Sequence, residues 1–365
     1  MAKYIYEYSN WTNFTWDDAV IYPLLSEVRF MQGQVLGKIQ SLGFSLQEQT
    51  ALNTITDDVI KSSEIEGERL NYDQVRSSVA RRLGIEAAGL VESDRYVEGV
   101  VEMMLDATQR YSTKLDDERL FGWHNALFPT GRSGLYKIEV AQYRTGEMQV
   151  VSGAMGKEIV HFQAPSPGVV ASEMAKLLEW INTDATVDNV LKSAIAHFWF
   201  IVIHPFDDGN GRIARAMSDM LLTRSDESPL RFYSLSAQIL QQKREYYAVL
   251  QKAQHSSGDI TEWLVWFLEC LKMALKTTQI LLNKTISKAE FWERNKDASF
   301  NNRQQQMLNR LMGDFVGILN TSKWAKITKC SQDTALRDIQ DLISKGVLRK
   351  ENKGGRSTTY EIVLD

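Results

Sequence analysis

Twelve consecutive residues, His204 to Arg215, combine side chains that can move a proton with groups that can hold an anion. They read His-Pro-Phe-Asp-Asp-Gly-Asn-Gly-Arg-Ile-Ala-Arg. The ring nitrogen of a histidine accepts a proton near neutral pH. Two carboxylates, a glycine-flanked asparagine and two arginines follow it within one loop and the start of a helix. This combination favours a site that binds polyphosphate and moves a proton beside it.

The glycines and arginines of this stretch indicate how the anion is held. Gly209, Asn210 and Gly211 permit a tight turn that opens the N-terminus of the next helix. Free N–H groups and the helix dipole attract anions there. Arg212 and Arg215 are three positions apart, so both guanidinium groups can face the same anion.

The other polar residues of the stretch complete the predicted chemistry. Asp208 precedes the turn and can hold the Mg²⁺ that accompanies nucleotide phosphates, and Asp207 is predicted to belong to the same nucleotide site. His204 can take a proton from an incoming hydroxyl group. Taken singly, a histidine before proline is more often structural, and two arginines on one helix usually lie on a solvated face. Their concentration in twelve residues argues against that alternative.

Length and composition limit the class of protein. A chain of 365 residues predicts two or three domains, and 44% hydrophobic with 24% charged residues is ordinary for a globular protein. The net charge of −4 carries no signature of nucleic-acid or membrane binding. Cys270 and Cys330 lie far apart, and the N-terminus lacks a signal-peptide pattern. We therefore expect a cytoplasmic protein without membrane contact.

Helical periodicity recurs along the chain, so the predicted fold class is mainly α. Helices are predicted over residues 45–65, 72–83, 94–111, 115–128, 169–182, 188–203, 238–254 and 259–292. A turn-rich loop is expected at 129–134. Two short β-prone runs around a glycine turn at 149–162 predict a hairpin that acts as a flap. Its residues Val151, Ser152 and Gly153 are predicted to reach the nucleotide.

The last segment, 296–365, differs in charge from the rest, with 12 Lys and Arg against 8 Asp and Glu. Helical patterns at 303–311, 322–327 and 331–345 precede two short strands around a basic glycine turn that contains Lys353 and Arg356. This order predicts a winged-helix domain, whose third helix could contact DNA or protein.

The twelve-residue stretch resembles the signature of the Fic (filamentation induced by cAMP) family, and every specified position matches. The resemblance implies transfer of AMP from ATP and Mg²⁺ to a hydroxyl side chain of a target protein. It makes His204 the general base and Asp208 the Mg²⁺ ligand. Asn210, the loop amides and Arg212 would hold the α- and β-phosphates, and Arg215 the γ-phosphate.

The same resemblance extends to two regions outside the stretch. The hairpin at 150–162 is similar to the family's flap, which docks the target segment by strand addition. Tyr246 matches a position that contacts the nucleoside, and an aromatic core residue is the alternative there.

Ser62, Glu66 and Gly67 match the family's inhibitory pattern, Ser/Thr-x-x-x-Glu-Gly/Asn, placed N-terminal to the catalytic core as in class II. The resemblance implies that Glu66 pairs with Arg215 and takes the partner of the γ-phosphate, so that ATP binds misaligned. In some relatives the same glutamate supports removal of AMP, so a reverse activity is an alternative.

The predicted organisation has three domains. Residues 1–90 form an N-terminal helical domain with the inhibitory motif, 91–292 the Fic core and 296–365 the winged helix. The resemblance also implies a homodimer. Two alternatives remain: a DNA-binding regulator that uses the Fic-like core as a nucleotide sensor, and an enzyme of the same fold that transfers UMP or phosphocholine.

Overall fold

Helices form most of the chain, as the sequence periodicity predicts, and the mainly α fold class is confirmed. The structure, a computed structural model, describes residues 4–152, 159–313, 315–351 and 358–364. The chain divides into two compact units, residues 1–278 and 279–365. The separation of residues 1–90 from the catalytic core stays a prediction, because both lie within the first unit.

The first unit begins with a short 3₁₀ helix, Ile5–Glu7, and its helices and strands follow in chain order. They are α1 (Asp18–Gln40), α2 (Phe44–Ile65), α3 (Tyr72–Leu83), α4 (Arg95–Gln109), α5 (Asp117–Leu127), β1 (Arg132–Ser133), β2 (Tyr136–Lys137), β3 (Gln149–Ser152), β4 (Ile159–Gln163), α6 (Pro167–Thr183), α7 (Asn189–Ile203), α8 (Asn210–Asp226), α9 (Leu235–Gln241), α10 (Lys243–Gln254) and α11 (Thr261–Arg294). The boundary between the two units falls within α11.

Helix α7 lies at the centre of the first unit and packs along α8. Every residue from Val190 to Ile203 is buried, which agrees with the uncharged sequence at 194–203. Each fully buried large apolar side chain of this run contributes roughly 1.5–3 kcal/mol of transfer free energy. The predicted core helix is thus buried, and the His204 loop begins at its C-terminal end.

Helix α2 packs against α9 and contacts α8, and it ends beside the His204–Arg215 stretch. Its end is a Schellman-type turn: the amide of Gly67 donates to the carbonyl of Glu64, and the amide of Glu68 donates to the carbonyl of Ser63, both at 3.0 Å. Gly67 has φ +86°, a conformation that favours glycine. The predicted helix stop at Gly67 is confirmed.

The short sheets agree only in part with the sequence-based elements. The hairpin at 149–162 is confirmed as antiparallel β3 and β4, with a bulge between Val150 and Val151. The loop predicted at 129–134 is wrong in part, since Arg132 and Ser133 form β1 and pair with β2. The single helix predicted over 238–254 divides into α9 and α10, because Gln242 leaves the helical conformation (φ −111°, ψ 25°).

The second unit contains α12 (Asn302–Leu311), α13 (Thr321–Thr328), α14 (Gln332–Ser344), β5 (Leu348–Lys350) and β6 (Tyr360–Ile362). The strands pair antiparallel. Buried side chains from all three helices and both strands form its core, including Trp324, Met307, Ile339, Leu348 and Tyr360. This is the predicted order of elements, whereas the winged-helix assignment stays a prediction.

None of the helices within the described ranges combines the length and the apolar character needed to cross a membrane. The run at 194–203 lies inside α7 and is buried within the first unit.

Candidate functional site

His204 caps the C-terminus of α7 in the left-handed conformation, φ 50° and ψ 61°. This conformation is uncommon for a residue with a Cβ atom. The ring atom Nδ1 lies 3.3 Å from the carbonyl oxygen of Ile201. Since a carbonyl can only accept, this contact favours the tautomer with the proton on Nδ1. The lone pair of Nε2 is then available to take a proton.

The pKa of His204 is lowered to about 4, mainly by burial and also by the positive charge of Arg144. The hydrogen bond to Ile201 and the carboxylates of Glu66 and Asp208 oppose this shift. The ring is therefore neutral at physiological pH and can accept a proton there.

Arg144 fixes the His204 loop from behind, and sequence reasoning missed it. Its Nε donates to the carbonyl of His204 at 2.8 Å, and its backbone amide donates to Pro205 at 2.9 Å. The two Nη atoms donate to the carbonyls of Gly146 at 2.8 Å and Pro165 at 2.5 Å, which flank the β3–β4 hairpin. Arg144 is 2% exposed, and burial lowers the pKa of its guanidinium. One side chain thus ties the end of α7 to the base of the flap.

The turn after Phe206 is held by Asn210. The amide oxygen of Asn210 accepts from the backbone N–H of Phe206 at 3.0 Å, and its Nδ2 donates to the Phe206 carbonyl at 2.8 Å. Gly209 has φ +81°, and a Cβ atom there would lie 2.8 Å from the ring of Phe128. The side chain of Asn210 therefore shapes the loop. The predicted contact of Asn210 with phosphate stays a prediction, and it would be made by the backbone amide.

Asp207 and Asp208 connect the loop to the β1–β2 hairpin. Asp207 accepts from the backbone N–H of Glu139 at 2.9 Å. Asp208 pairs with the hydroxyl group of Ser133 and accepts from the amide of Gly209 at 2.6 Å. Both carboxylates therefore have structural partners, and Asp208 remains the predicted metal ligand.

The side chain of Asp208 is 43% exposed, so its carboxylate retains lone pairs that face solvent. Magnesium is commonly bound by one or two carboxylates together with substrate phosphates. No cluster of three or more His, Cys, Asp or Glu that could hold a metal occurs within the described ranges. Asp208 thus fits a metal that is shared with a nucleotide, and it does not fit an all-protein metal centre.

Arg212 and Arg215 lie in the first two turns of α8, and both side chains are 1% exposed. Within the described residues, Nε of Arg212 and Nη1 of Arg215 are buried and find no hydrogen-bond partner. A Cβ atom at Gly211 would lie 3.2 Å from Nη1 of Arg215, so this donor is close to the start of the helix. Buried unpaired donors are costly. A phosphate at the N-terminus of α8 would satisfy them.

Glu66 occupies the other side of Arg215. Its Oε1 accepts from Nη2 of Arg215 at 2.7 Å. Ser62 accepts from Nε of the same guanidinium at its hydroxyl and from Nη2 at its carbonyl, both at 2.9 Å. A Cβ atom at Gly211 would collide with the Glu66 carboxylate. The predicted pairing of Glu66 with Arg215 is thus present in the structure, and Ser62 contributes two further bonds.

Arg212 has a carboxylate partner that sequence reasoning missed. Its Nη1 donates to Oε2 of Glu68 at 2.8 Å and to the hydroxyl of Tyr96 at 2.6 Å, while Tyr96 donates to the same carboxylate. The guanidinium also lies over the ring of Phe128, 5.0 Å from its centroid. Arg212 is separated in the sequence by 144 residues from Glu68 and by 116 from Tyr96. No local sequence pattern therefore indicates this cluster.

Tyr246 is 1% exposed, and its ring packs against Trp263 and Trp266. Its hydroxyl lies 2.8 Å from Nε2 of His197, and burial raises its pKa. These contacts favour the core alternative for Tyr246. The neighbouring Tyr247 is 42% exposed. A nucleoside contact at Tyr246 stays a prediction.

The flap residues are only partly described. Val151 in β3 and Val160 in β4 are each 46% exposed. Ser152 belongs to β3, and Gly153 lies outside the described residues. As a two-stranded sheet within the described chain, the hairpin presents open edges to which another strand can add.

The third helix of the second unit does not carry a basic surface. The exposed residues of α14 include Asp333 and Arg337, which oppose each other in charge, with Gln332, Leu336 and Gln340. Contact with DNA phosphates requires cations. Lys353 and Arg356 lie outside the described residues. The alternative of a DNA-binding regulator therefore finds no support in the surface of α14.

Family models match two parts of the chain. Residues 114–222 match the Fic/DOC family, and residues 4–85 match a domain of unknown function, DUF4172. The first match contains the His204 loop, α7, and Arg212 and Arg215 of α8. The chain therefore contains a Fic/DOC family domain, as the resemblance of the twelve-residue stretch indicated.

Two curated relatives are protein adenylyltransferases. The chain is 24% identical over 250 residues to the adenylyltransferase fic-1 of Caenorhabditis briggsae, which covers 65% of this chain and 45% of that protein. It is 26% identical over 214 residues to the adenylyltransferase Fic of Culex quinquefasciatus, which covers 58% and 39%. The chain thus spans less than half the length of these relatives.

Two solved structures share the fold. A Fic family protein from Desulfovibrio desulfuricans has a TM-score of 0.53 at 20% identity, over 96% of this chain and 98% of that one. A Fic domain-containing signaling protein from Bacteroides thetaiotaomicron has a TM-score of 0.50 at 20% identity, over 69% and 97%. The mainly helical fold is therefore that of known Fic proteins.

Proposed function

We propose that this chain is an autoinhibited protein adenylyltransferase, which transfers AMP from ATP to a Ser, Thr or Tyr hydroxyl of a target protein. The observation that carries the proposal is the pair of buried, unpaired donors on Arg212 and Arg215 beside a neutral His204. They supply an anion site and a proton acceptor at the N-terminus of one helix. The adenylyltransferase relatives support the choice of reaction.

The reaction begins at His204. Nε2 takes the proton of the acceptor hydroxyl as its oxygen attacks the α-phosphorus of ATP. The new O–P bond forms while the bond from the α-phosphorus to the bridging β-oxygen breaks, and pyrophosphate leaves. Arg144 holds the His204 carbonyl throughout, so the base has a fixed direction.

The negative charge of the phosphates is met by α8. The amides at 209–211 and the free Nε of Arg212 face the α- and β-phosphates, and Arg215 faces the γ-phosphate. Asp208, whose carboxylate is partly exposed, would hold the Mg²⁺ that accompanies the nucleotide phosphates. When bound, the ion neutralises charge that develops on the leaving pyrophosphate.

We call the arrangement in which Glu66 is paired with Arg215 the closed state. In this state Glu66 prevents ATP from binding in the way described above. Its carboxylate takes Nη2 of Arg215 and lies against Gly211. A γ-phosphate at the same guanidinium would meet a like charge at close range, so ATP binds displaced from the in-line geometry that transfer needs. The open edge of the β3–β4 hairpin would dock the target segment by strand addition.

Labelling in a released background tests the reaction. We expect Glu66→Gly to incorporate label from ATP labelled at the α-phosphate and none from ATP labelled at the γ-phosphate, because AMP is transferred and pyrophosphate leaves. His204→Ala in the same background should lose this incorporation, typically by 100-fold or more for a general base. Label from the γ-phosphate would identify a kinase and refute the proposal.

The nucleotide is tested in the same assay. UTP and CDP-choline labelled in the transferred group distinguish AMP transfer from the UMP and phosphocholine alternatives. Incorporation from ATP at least tenfold above either competitor supports the proposal. Preference for UTP or CDP-choline would retain the Fic fold and overturn the proposed donor.

A further inference from the structure

Glu68, Tyr96 and Arg212 form a closed triangle next to the proposed phosphate site. Nη1 of Arg212 donates to both Glu68 and Tyr96, and the Tyr96 hydroxyl donates to the carboxylate. Arg212 is 1% exposed and Glu68 37% exposed. Since one partner is almost fully buried, solvent screens this ion pair less than an ordinary surface pair.

Glu68 and Glu66 belong to the same rigid turn. The amide of Glu68 donates to the carbonyl of Ser63 at 3.0 Å, and Gly67 between the two acids takes φ +86°. These bonds close the end of α2. The turn therefore presents two carboxylates to α8 at once, Glu66 to Arg215 and Glu68 to Arg212.

Tyr96 attaches this turn to a second helix. It stands in the first turn of α4, and α4 packs against α8. Burial raises its pKa, with the Glu68 carboxylate acting in the same direction and Arg212 against it. The phenol is therefore protonated at physiological pH and donates to Glu68. The turn is fastened to α4 and to α8 through one carboxylate.

We propose that Glu68 and Tyr96 are a second anchor of the inhibitory turn, which holds Glu66 on Arg215. The proposal rests on the proposed function of the site. Glu68 and Tyr96 act through Glu66 and Arg212, so they are positioning residues. Opening the site requires both ion pairs to break, because the two acids move with the same turn.

A different role for the triangle makes the opposite prediction. If Glu68 and Tyr96 orient Arg212 for catalysis, their loss lowers transfer in every background. If they anchor the turn, their loss raises transfer only while Glu66 is present. In a Glu66→Gly chain the inhibitory carboxylate is absent, so loss of the anchor should not change transfer.

The test compares Glu68→Gln and Tyr96→Phe, each alone and combined with Glu66→Gly. Each single variant should raise AMP transfer by about tenfold, the effect of losing one charge-assisted hydrogen bond from the closed state. Each double variant should match Glu66→Gly. Glu64→Gln and Tyr72→Phe are matched controls, since Glu64 pairs with Lys61 near the surface and Tyr72 is 47% exposed. Both controls should leave transfer unchanged.

Binding of the non-hydrolysable analogue AMP-PNP with Mg²⁺, measured by calorimetry, gives a readout that does not depend on transfer. Glu68→Gln should bind about tenfold more tightly than the intact chain, because the turn that places Glu66 on Arg215 opens more readily. Unchanged or weaker binding overturns the anchor. Melting curves establish that the variants are folded, and Tyr96→Phe provides the second, least disruptive change.

The outcomes separate the anchor from the proposed function. If Glu66→Gly is active but Glu68→Gln and Tyr96→Phe transfer no more AMP than the intact chain, the anchor is overturned. The proposed function then remains intact. A drop in transfer when Glu68→Gln is added to Glu66→Gly also overturns it, in favour of a catalytic role. A silent Glu66→Gly chain refutes the proposed function, and AMP-PNP binding then decides on the anchor alone.

Discussion

Oε1 of Glu66 accepts a hydrogen bond from Nη2 of Arg215 at 2.7 Å, although 149 positions separate the two residues in the sequence. About two turns before Glu66, Asp58 of α2 stands near Asp219, which lies one turn after Arg215 in α8. Burial and the proximity of Asp58 raise the pKa of Asp219, so its protonated form is favoured. Asp58 also accepts from the hydroxyl of Ser234 at 2.6 Å. Polar contacts thus hold α2 in place about two turns before the end that carries Glu66.

The shape of the loop should depend on Asn210. Asn210→Ala removes both hydrogen bonds to the backbone of Phe206 and leaves two buried backbone groups unpaired. We expect the free energy of unfolding to fall by about 2–4 kcal/mol. ATP binding should weaken as well, because the amides at 209–211 lose their alignment. Denaturant unfolding and calorimetry measure the two effects, and full ATP affinity in a folded Asn210→Ala chain would contradict this role.

Arg144 should set the turnover of the released enzyme. In the Glu66→Gly background, Arg144→Lys keeps the charge but loses the fork of donors to His204, Gly146 and Pro165. We expect kcat to fall by tenfold to 100-fold with little change in the KM for ATP. Arg110→Lys, at an exposed position, is the matched control. A rise in KM at constant kcat would place Arg144 in nucleotide binding instead.

The pH dependence of transfer follows from the pKa of His204. The folded value is about 4, and Glu66→Gly removes a carboxylate that raises it, so the ring stays neutral down to still lower pH. Transfer by Glu66→Gly should therefore stay level from pH 8 to pH 5, because the base remains unprotonated. An acid limb with its midpoint near pH 6.5, the value of an unperturbed histidine, would show that the base is not this buried ring.

Stability should fall in acid because of His197. Its pKa is about 3, lowered by burial and by Arg215, against about 6.5 in the unfolded chain. The unfolded state thus binds the proton first, and stability is lost as the pH falls from 6.5 towards 3. His197 contributes up to about 3 kcal/mol of this loss by pH 4.

His197→Gln isolates that contribution. It removes the ring that bonds Ser218 and Tyr246, so stability at pH 7 falls as well, but its slope against pH between 6.5 and 4 should be shallower. Urea unfolding of both chains over this range measures the difference. Equal slopes would mean that His197 does not titrate on unfolding.

The elements that follow from local pattern could be predicted closely. Helix α3 matches its predicted bounds, 72–83, because Asn71 caps its start and Gly84 ends it. The β3–β4 hairpin follows from β-prone residues around a turn. The pairing of Glu66 with Arg215 came from the resemblance to the Fic family, since a glutamate at a helix end carries no such information by itself.

What the sequence did not reveal depends on tertiary contacts. The break at Gln242 has neither glycine nor proline to mark it. Arg144 binds carbonyl groups, and any residue can present a carbonyl. Glu68 and Tyr96 meet only because α4 packs beside α8. Their partners are set by the fold, which a linear pattern does not contain.

The most direct measurement compares AMP incorporation by the intact chain and by Glu66→Gly at the same ATP and Mg²⁺ concentrations. Nη2 of Arg215 donates to both Glu66 and the Ser62 carbonyl. Loss of the Glu66 carboxylate frees one of these two N–H groups for the γ-phosphate, while the other stays bonded to Ser62. We expect an increase of about 100-fold, including self-labelling, which is the change expected if the site is closed in about 99% of the molecules. A folded Glu66→Gly chain that binds ATP and Mg²⁺ yet transfers no more AMP than the intact chain would contradict restraint by Glu66.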